Sequence, residues 1–116
     1  MTAKLTSVVL DSPDPQALAR FYSELLDLPV TRVDGDWVDI GDGTTRLSFQ
    51  HAPDLRPPRW PDPDRPQQIH LDIQVDDIDA AEAKALQLGA TLLSTKEAGF
   101  RVYSDPTGHP FCLCYD

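Results

Sequence analysis

Two stretches decide the fold: Gln68 to Leu93, QIHLDIQVDDIDAAEAKALQLGATLL, and its earlier counterpart from Leu5 to Val30, LTSVVLDSPDPQALARFYSELLDLPV. Each opens on alternating polar and apolar residues, passes through aspartates, and enters a run whose apolar residues recur three or four apart. Period-two alternation marks a half-buried strand, and the longer spacing marks a helix lying on a core. Setting Ser7 against His70 aligns Val8 with Leu71, Leu10 with Ile73, Asp14 with Asp77 and Ala17 with Ala80, all at an offset of 63. The chain therefore reads as an internal duplication.

Asp14 is an N-cap with Pro15 at the first helical position, where its missing N–H costs nothing. The first helix is expected to run to about Leu26, burying Ala17, Leu18, Phe21, Tyr22, Leu25 and Leu26. In the second copy Asp77 caps, Ile78, Ala81, Ala85 and Leu88 form the stripe, and Gly89 is the left-handed terminator. Three short strand candidates follow each helix. They are Pro29 to Val33, Trp37 to Ile40 and Thr45 to Gln50, then Thr91 to Thr95, Phe100 to Ser104 and Pro110 to Tyr115. Asp34-Gly35, Gly41-Asp42-Gly43 and Asp105-Pro106-Thr107-Gly108 supply turns between them.

The plan is βαβββ twice, in two modules of strands and one helix each. Module one covers residues 4–50 and module two residues 68–116 of a single domain. The intervening HAPDLRPPRWPDPDRPQ, residues 51–67, carries six prolines that forbid helix or central strand, so it reads as a stiff linker. Trp60 within it is a lid aromatic, a contact to a neighbouring subunit, or cover for a nearby apolar patch.

At 116 residues the chain holds one core, and 41 % hydrophobic with 25 % charged residues is a globular composition. The apolar runs are too short to span a bilayer, and Met-Thr-Ala-Lys-Leu-Thr has no signal-type apolar region, so a cytoplasmic location is expected and no membrane partner. Nineteen acids against ten bases leave a net charge of −9, which repels a phosphate backbone and argues against nucleic acid. Such a surface is a solvated acidic face or attracts a cationic small molecule. Cys112 and Cys114 lie two apart on one strand without bridging geometry and are expected as reduced thiols.

The paired βαβββ plan, DSPDPQALARFYSELLDLPV, the motif HLDIQVDDIDAA followed by LGAT, and the ending DPTGHPFCL resemble the vicinal oxygen chelate superfamily, from about Leu5 to Tyr115. More narrowly they resemble its glyoxalase-like branch, near glyoxalase I, bleomycin-resistance proteins and extradiol dioxygenases. The resemblance implies an α+β fold in which two βαβββ modules form a half-open curved sheet around a cavity, with modules often paired across a dimer, and a homodimer is expected. It also implies that metal-dependent relatives draw ligands from positions that fall here on Ser7, Ser48, His70 and Cys112. Serine hydroxyls are poor, neutral ligands for a divalent cation. The expectation is therefore a cavity without a metal or other cofactor, with zinc on His70 and Cys112, aided by Gln50 or Asp72, as the lesser reading.

Alternation turns Ser7, Ser48, Gln50, His70, Asp72 and Cys112 toward the cavity face, with Trp37 and Asp39 on the same wall. These, Asp39 aside, are the candidate ligand-binding residues, and no catalytic residue is assigned. The plainer readings are a hydrogen-bonding His70 and a Cys112 that packs as a small hydrophobe. Three functions follow: a drug-sequestering binder of a small organic molecule, a lyase, isomerase or dioxygenase using an atypical metal or His70, or an interaction domain.

Overall fold

The computed structural model describes residues 3–116, so the first two residues of the stretch read for a signal lie outside it. The chain divides into two compact units between Leu55 and Arg56. The first unit contains β1 (Val8–Ser12), α1 (Pro15–Leu26), β2 (Val30–Asp34), β3 (Trp37–Gly41) and β4 (Arg46–His51). The second contains β5 (Leu71–Gln74), α2 (Ile78–Leu88), β6 (Thr91–Ser94), β7 (Phe100–Ser104) and β8 (Pro110–Cys114).

Each unit builds one four-stranded sheet, and the two share a topology: β1-β4-β3-β2 in the first and β5-β8-β7-β6 in the second. The first strand of each lies parallel to the last, with Val9 opposite Ser48 and Asp72 opposite Cys112. Parallel neighbours need a crossover, and the helix in each unit lies within that crossover. The remaining pairs are antiparallel and joined by short turns.

The caps form as the sequence implies. Asp14 Oδ1 accepts from the Ala17 amide and Asp77 Oδ1 from the Ala80 amide, both at 3.1 Å. Gly89 ends α2 at φ +115°, while α1 ends on Asp27 at φ +54°, a residue that tolerates the left-handed region through its short polar side chain.

In the first unit Leu18, Ala19, Phe21 and Tyr22 of α1 are buried, along with Leu10, Val38, Ile40, Leu47 and Phe49 from the strands. Tyr22 stacks on Phe49 with ring centroids 5.9 Å apart, and Phe21 meets Tyr22 edge-on at 4.9 Å. The helix of the second unit is held differently. Only Ala85 of α2 is fully buried, and polar contacts tie the helix to β7: Tyr103 donates to Glu82 Oε1 at 2.8 Å, and Arg101 reaches Glu82 at 3.1 Å and Asp79 at 3.2 Å. Beneath them Tyr103 stacks on Phe111 at 5.3 Å.

The proline-rich segment is less of a bare linker than expected. His51 completes β4, and the Ala52 amide bonds to Ser12 O at 2.8 Å. Residues 56–67 then belong to the second unit, folded on themselves through Arg59 N to Arg65 O at 2.7 Å and Arg65 Nη2 to Pro57 O at 2.7 Å. Half-buried Trp60 lines a small hollow with Pro61, Pro63 and Pro66.

Candidate functional site

Along β1, β3 and β4 the residues under α1 alternate with those on the opposite, helix-free face. That face carries Ser7, Trp37, Asp39, Ser48 and Gln50. Ser48 stands opposite Asp39, and Gln50 opposite Trp37, so two rungs of the β3–β4 ladder set the constellation. Ser48 donates to Asp39 Oδ1 at 2.5 Å, and Trp37 Nε1 donates to the same oxygen at 2.8 Å. Ser7 and Ser48 hydroxyl oxygens are 2.6 Å apart. Because Ser48 has one hydrogen and gives it to Asp39, Ser7 is the donor in that pair, Val8 O at 3.2 Å being the more distant of the two acceptors its hydroxyl faces. The result is a one-way chain, Ser7 to Ser48 to Asp39, ending on a carboxylate only 6 % exposed.

Burial of Asp39 opposes its ionisation. The bonds from Ser48 and Trp37 and the positive charges of Arg46 and Arg32 outweigh it and hold the carboxyl below its usual range. Sequence reasoning placed Asp39 on this wall but not at its centre, because its role depends on which residue faces it across the ladder. Gln50 is exposed on the same face. At the β3–β4 turn a hollow of about 400 Å³ is lined by Lys4, Leu5, Thr6, Thr31, Gly41, Gly43, Thr44, Thr45 and Arg46. Two of these residues, Lys4 and Arg46, are basic, and the Asp42 carboxylate in the same turn is held by the Thr44 and Thr45 amides.

The second unit presents a different set. His70 precedes β5, Asp72 lies on β5, and Cys112 faces Asp72 on β8. His70 Nε2 is 3.3 Å from Asp72 Oδ1, although residues two apart on a strand need not touch. One donor atom from each of His70, Asp72 and Cys112 lies within 4.8 Å of the others. Cys112 is buried, and its thiol is pushed up to about 11 by burial and then by the negative charge of the Asp72 carboxylate. Cys114, the next residue on that face, is raised by the same two influences. Both cysteines are free thiols.

The metal positions implied by the resemblance thus divide. Ser7 and Ser48 do not fit a divalent ion, being neutral and committed to each other and to Asp39. His70 and Cys112, joined by Asp72, do offer the imidazole, thiolate and carboxylate that a zinc-class ion takes.

A helix-crossed β-α-β-β-β sheet occurring twice is the architecture of the glyoxalase and bleomycin-resistance proteins, an α+β class without a closed barrel. The chain belongs to the glyoxalase-like domain family, whose model matches residues 7–114. Solved structures agree on the fold. A glyoxalase/bleomycin resistance protein/dioxygenase family enzyme from Burkholderia phytofirmans PsJN superposes with a TM-score of 0.77 at 17 % identity, covering 97 % of this chain and 98 % of that one. The fosfomycin resistance protein FosX of Listeria monocytogenes gives 0.74 at 15 % identity over 100 % and 93 %. The bleomycin resistance determinant encoded on transposon Tn5 gives 0.61 at 19 % identity over 98 % of each chain. No curated protein matches the sequence. Among the described residues no helix is long and apolar enough to cross a membrane.

Proposed function

We propose that this chain binds a small organic molecule on the helix-free face of its first sheet, as a sequestering protein rather than a catalyst. The observation that carries the reading is the Ser7–Ser48–Asp39–Trp37 network. At the two positions where metal-dependent relatives would place ligands, this unit has a prearranged hydrogen-bonding wall that asks for no ion. Trp37 adds an aromatic flank, and Lys4 and Arg46 in the adjoining hollow favour an anionic or hydrogen-bond-accepting group over the cationic ligand suggested by net charge. Resistance proteins share this fold, and fold alone does not identify the ligand.

The test is thermal denaturation of chelator-treated protein against matched anionic, neutral and cationic compounds. A ligand at one hundred times its Kd stabilises by about 2.7 kcal/mol. Shifts for anionic members that vanish in Arg46→Ala are expected, and flat traces across all three groups would sink the reading.

The same reading includes a homodimer. The outer strands β2 and β6 leave Val30, Val33, Leu92 and Leu93 exposed, and a twofold partner would cover such edges. Light scattering coupled to size exclusion decides it. An enzymatic reading, as a lyase, isomerase or dioxygenase, is favoured by one observation only, the donor cluster of the second unit.

A further inference from the structure

The hollow of about 400 Å³ in the first unit lies where the segment before β1 meets the β3–β4 turn. Small-molecule sites run from roughly 300 to 1,000 Å³, so it admits an organic group as well as an ion. Three separate pieces of chain supply its polar lining. Lys4 and Thr6 come from the segment before β1, Thr31 from β2, and Thr44 and Arg46 from the turn and the start of β4.

Neither cation is paired. Lys4 and Arg46 form no ion pair among the described residues, although the chain has 19 acids to 10 bases; Arg32, by contrast, is bound to Asp34, and Arg101 to Asp79 and Glu82. The two acids nearest Arg46 along the chain are engaged elsewhere. Asp39 Oδ1 accepts from Ser48 and Trp37, and Asp42 Oδ1 accepts from the Thr44 and Thr45 amides at 2.9 and 2.8 Å. Those amide bonds also fix the turn, which closes tightly because a Cβ on Gly41 would stand 2.7 Å from Thr45 O. Thr31 Oγ1 makes only a long bond, 3.4 Å, to Asp39 O.

We propose that this hollow seats a tetrahedral oxyanion, a phosphoryl or sulfuryl group carried by a small organic molecule, between Lys4, Arg46 and the hydroxyls of Thr6, Thr31 and Thr44. The proposal rests on the small-molecule reading of the first sheet and deepens it by naming the charged end of the ligand. None of the five residues is a position implied by the superfamily resemblance.

The directions of the donors select the shape of the anion. A carboxylate presents two oxygens in one plane, and a single guanidinium fork satisfies them. Donors that approach from three pieces of chain suit a group whose oxygens point several ways. Two cations set against the one Asp42 carboxylate leave a modest attraction for anions, which salt weakens because these side chains are exposed. Arg46 also joins the hollow to the hydrogen-bonding wall. It shares a face of β4 with Ser48 and Gln50, and Gln50 lies four residues on, about 13 Å along the strand. A ligand anchored at Arg46 reaches the Trp37–Gln50 rung when its body spans that distance.

The experiment treats the full chain with inorganic phosphate, sulfate or acetate at an ionic strength held constant with chloride. Lysine acylation by a succinimidyl ester, mapped by mass spectrometry, reads occupancy. Phosphate and sulfate at four times their Kd should slow modification of Lys4 about fivefold, since the free fraction falls as the inverse of 1 + [L]/Kd. Lys84 and Lys96, in the second unit, should react at unchanged rates. Arg46→Ala and Thr44→Glu should remove the protection; both positions are exposed, so both variants keep the fold, as circular dichroism verifies. Equal slowing of all three lysines, equal protection by acetate, or undiminished protection in Thr44→Glu would each overturn the proposal. Lys4 left unprotected by phosphate while the organic panel still shifts the melting temperature removes the oxyanion seat and keeps the small-molecule reading. Protection by phosphate with a flat organic panel does the reverse.

Discussion

Ser48 donates its hydroxyl hydrogen to Asp39 Oδ1 at 2.5 Å across the central rung of the β3–β4 ladder, in a position where neither group is open to water. A buried carboxylate is tolerable only when donors replace its hydration, and Ser48 and Trp37 do that here. Ser48→Ala removes one donor and leaves the charge under-solvated. A loss of about 1–3 kcal/mol in urea-unfolding stability is expected, larger than that of Ser7→Ala, which ends the chain without touching the carboxylate. Equal losses in the two variants would contradict the one-way order of the network.

The same carboxylate sets an acid limb. Its folded pKa lies below the ordinary value of 3.8, so the folded state holds fewer protons than the unfolded chain in the acid range. This stabilisation is fully present above the unfolded pKa and disappears as pH falls through the folded one. Stability followed from neutral pH into that range should fall in the native chain, with a shallower slope in Asp39→Asn. Parallel slopes would show that other carboxylates account for the decline.

Cys112 should be a slow nucleophile. With its thiol pushed up to about 11, the thiolate is scarce at neutral pH, and burial also blocks access. Mass-spectrometric mapping after iodoacetamide treatment of metal-free protein should find Cys112 largely unmodified at neutral pH in the folded state. It should be fully alkylated in denaturant. Rapid labelling of the folded chain would place the residue in a different environment.

Gly108 connects the proline-rich segment to the second unit. It sits at φ +111°, and a Cβ built there would come within 2.8 Å of Pro57 Cβ. Gly108→Ala therefore meets both backbone strain and a collision, and a loss of roughly 1–3 kcal/mol is expected by chemical denaturation. Pairing it with Pro57→Gly, which removes the colliding Cβ, separates the two causes, since only the collision is relieved.

The cap of α2 offers a further check, because this helix buries only Ala85 fully and depends on its ends. Asp77→Ala removes the acceptor for the Ala80 amide and should cost about 0.5–2 kcal/mol. Circular dichroism during thermal unfolding measures it.

Much of this architecture was readable from local pattern. Asp14, Pro15, Asp77 and Gly89 mark helix boundaries through interactions made within a few residues, and the observed spans Pro15–Leu26 and Ile78–Leu88 follow them. The offset between Ser7 and His70 predicted two equivalent modules, and the two sheets share one strand order. Asp27 was not readable as a helix terminator, because an aspartate enters the left-handed region only where its surroundings hold it there. The compact folding of residues 56–67 was likewise hidden, since prolines announce the absence of regular structure without saying which carbonyls the remaining amides find.

Side-chain periodicity alone determined which residues of one strand share a face: Ser48 with Gln50, His70 with Asp72, and Cys112 with Cys114. That is a one-dimensional property, fixed by the alternation of Cβ directions along a strand. Only the tertiary structure decided which of them touch. Partnership across a ladder depends on strand order and register, and these come from packing of the whole sheet beneath its helix. It made Asp39 the end of a hydroxyl chain, and it set Asp72 against Cys112 with His70 beside them, so that one half of the duplication became a hydrogen-bonding wall and the other a cluster of metal-type donors.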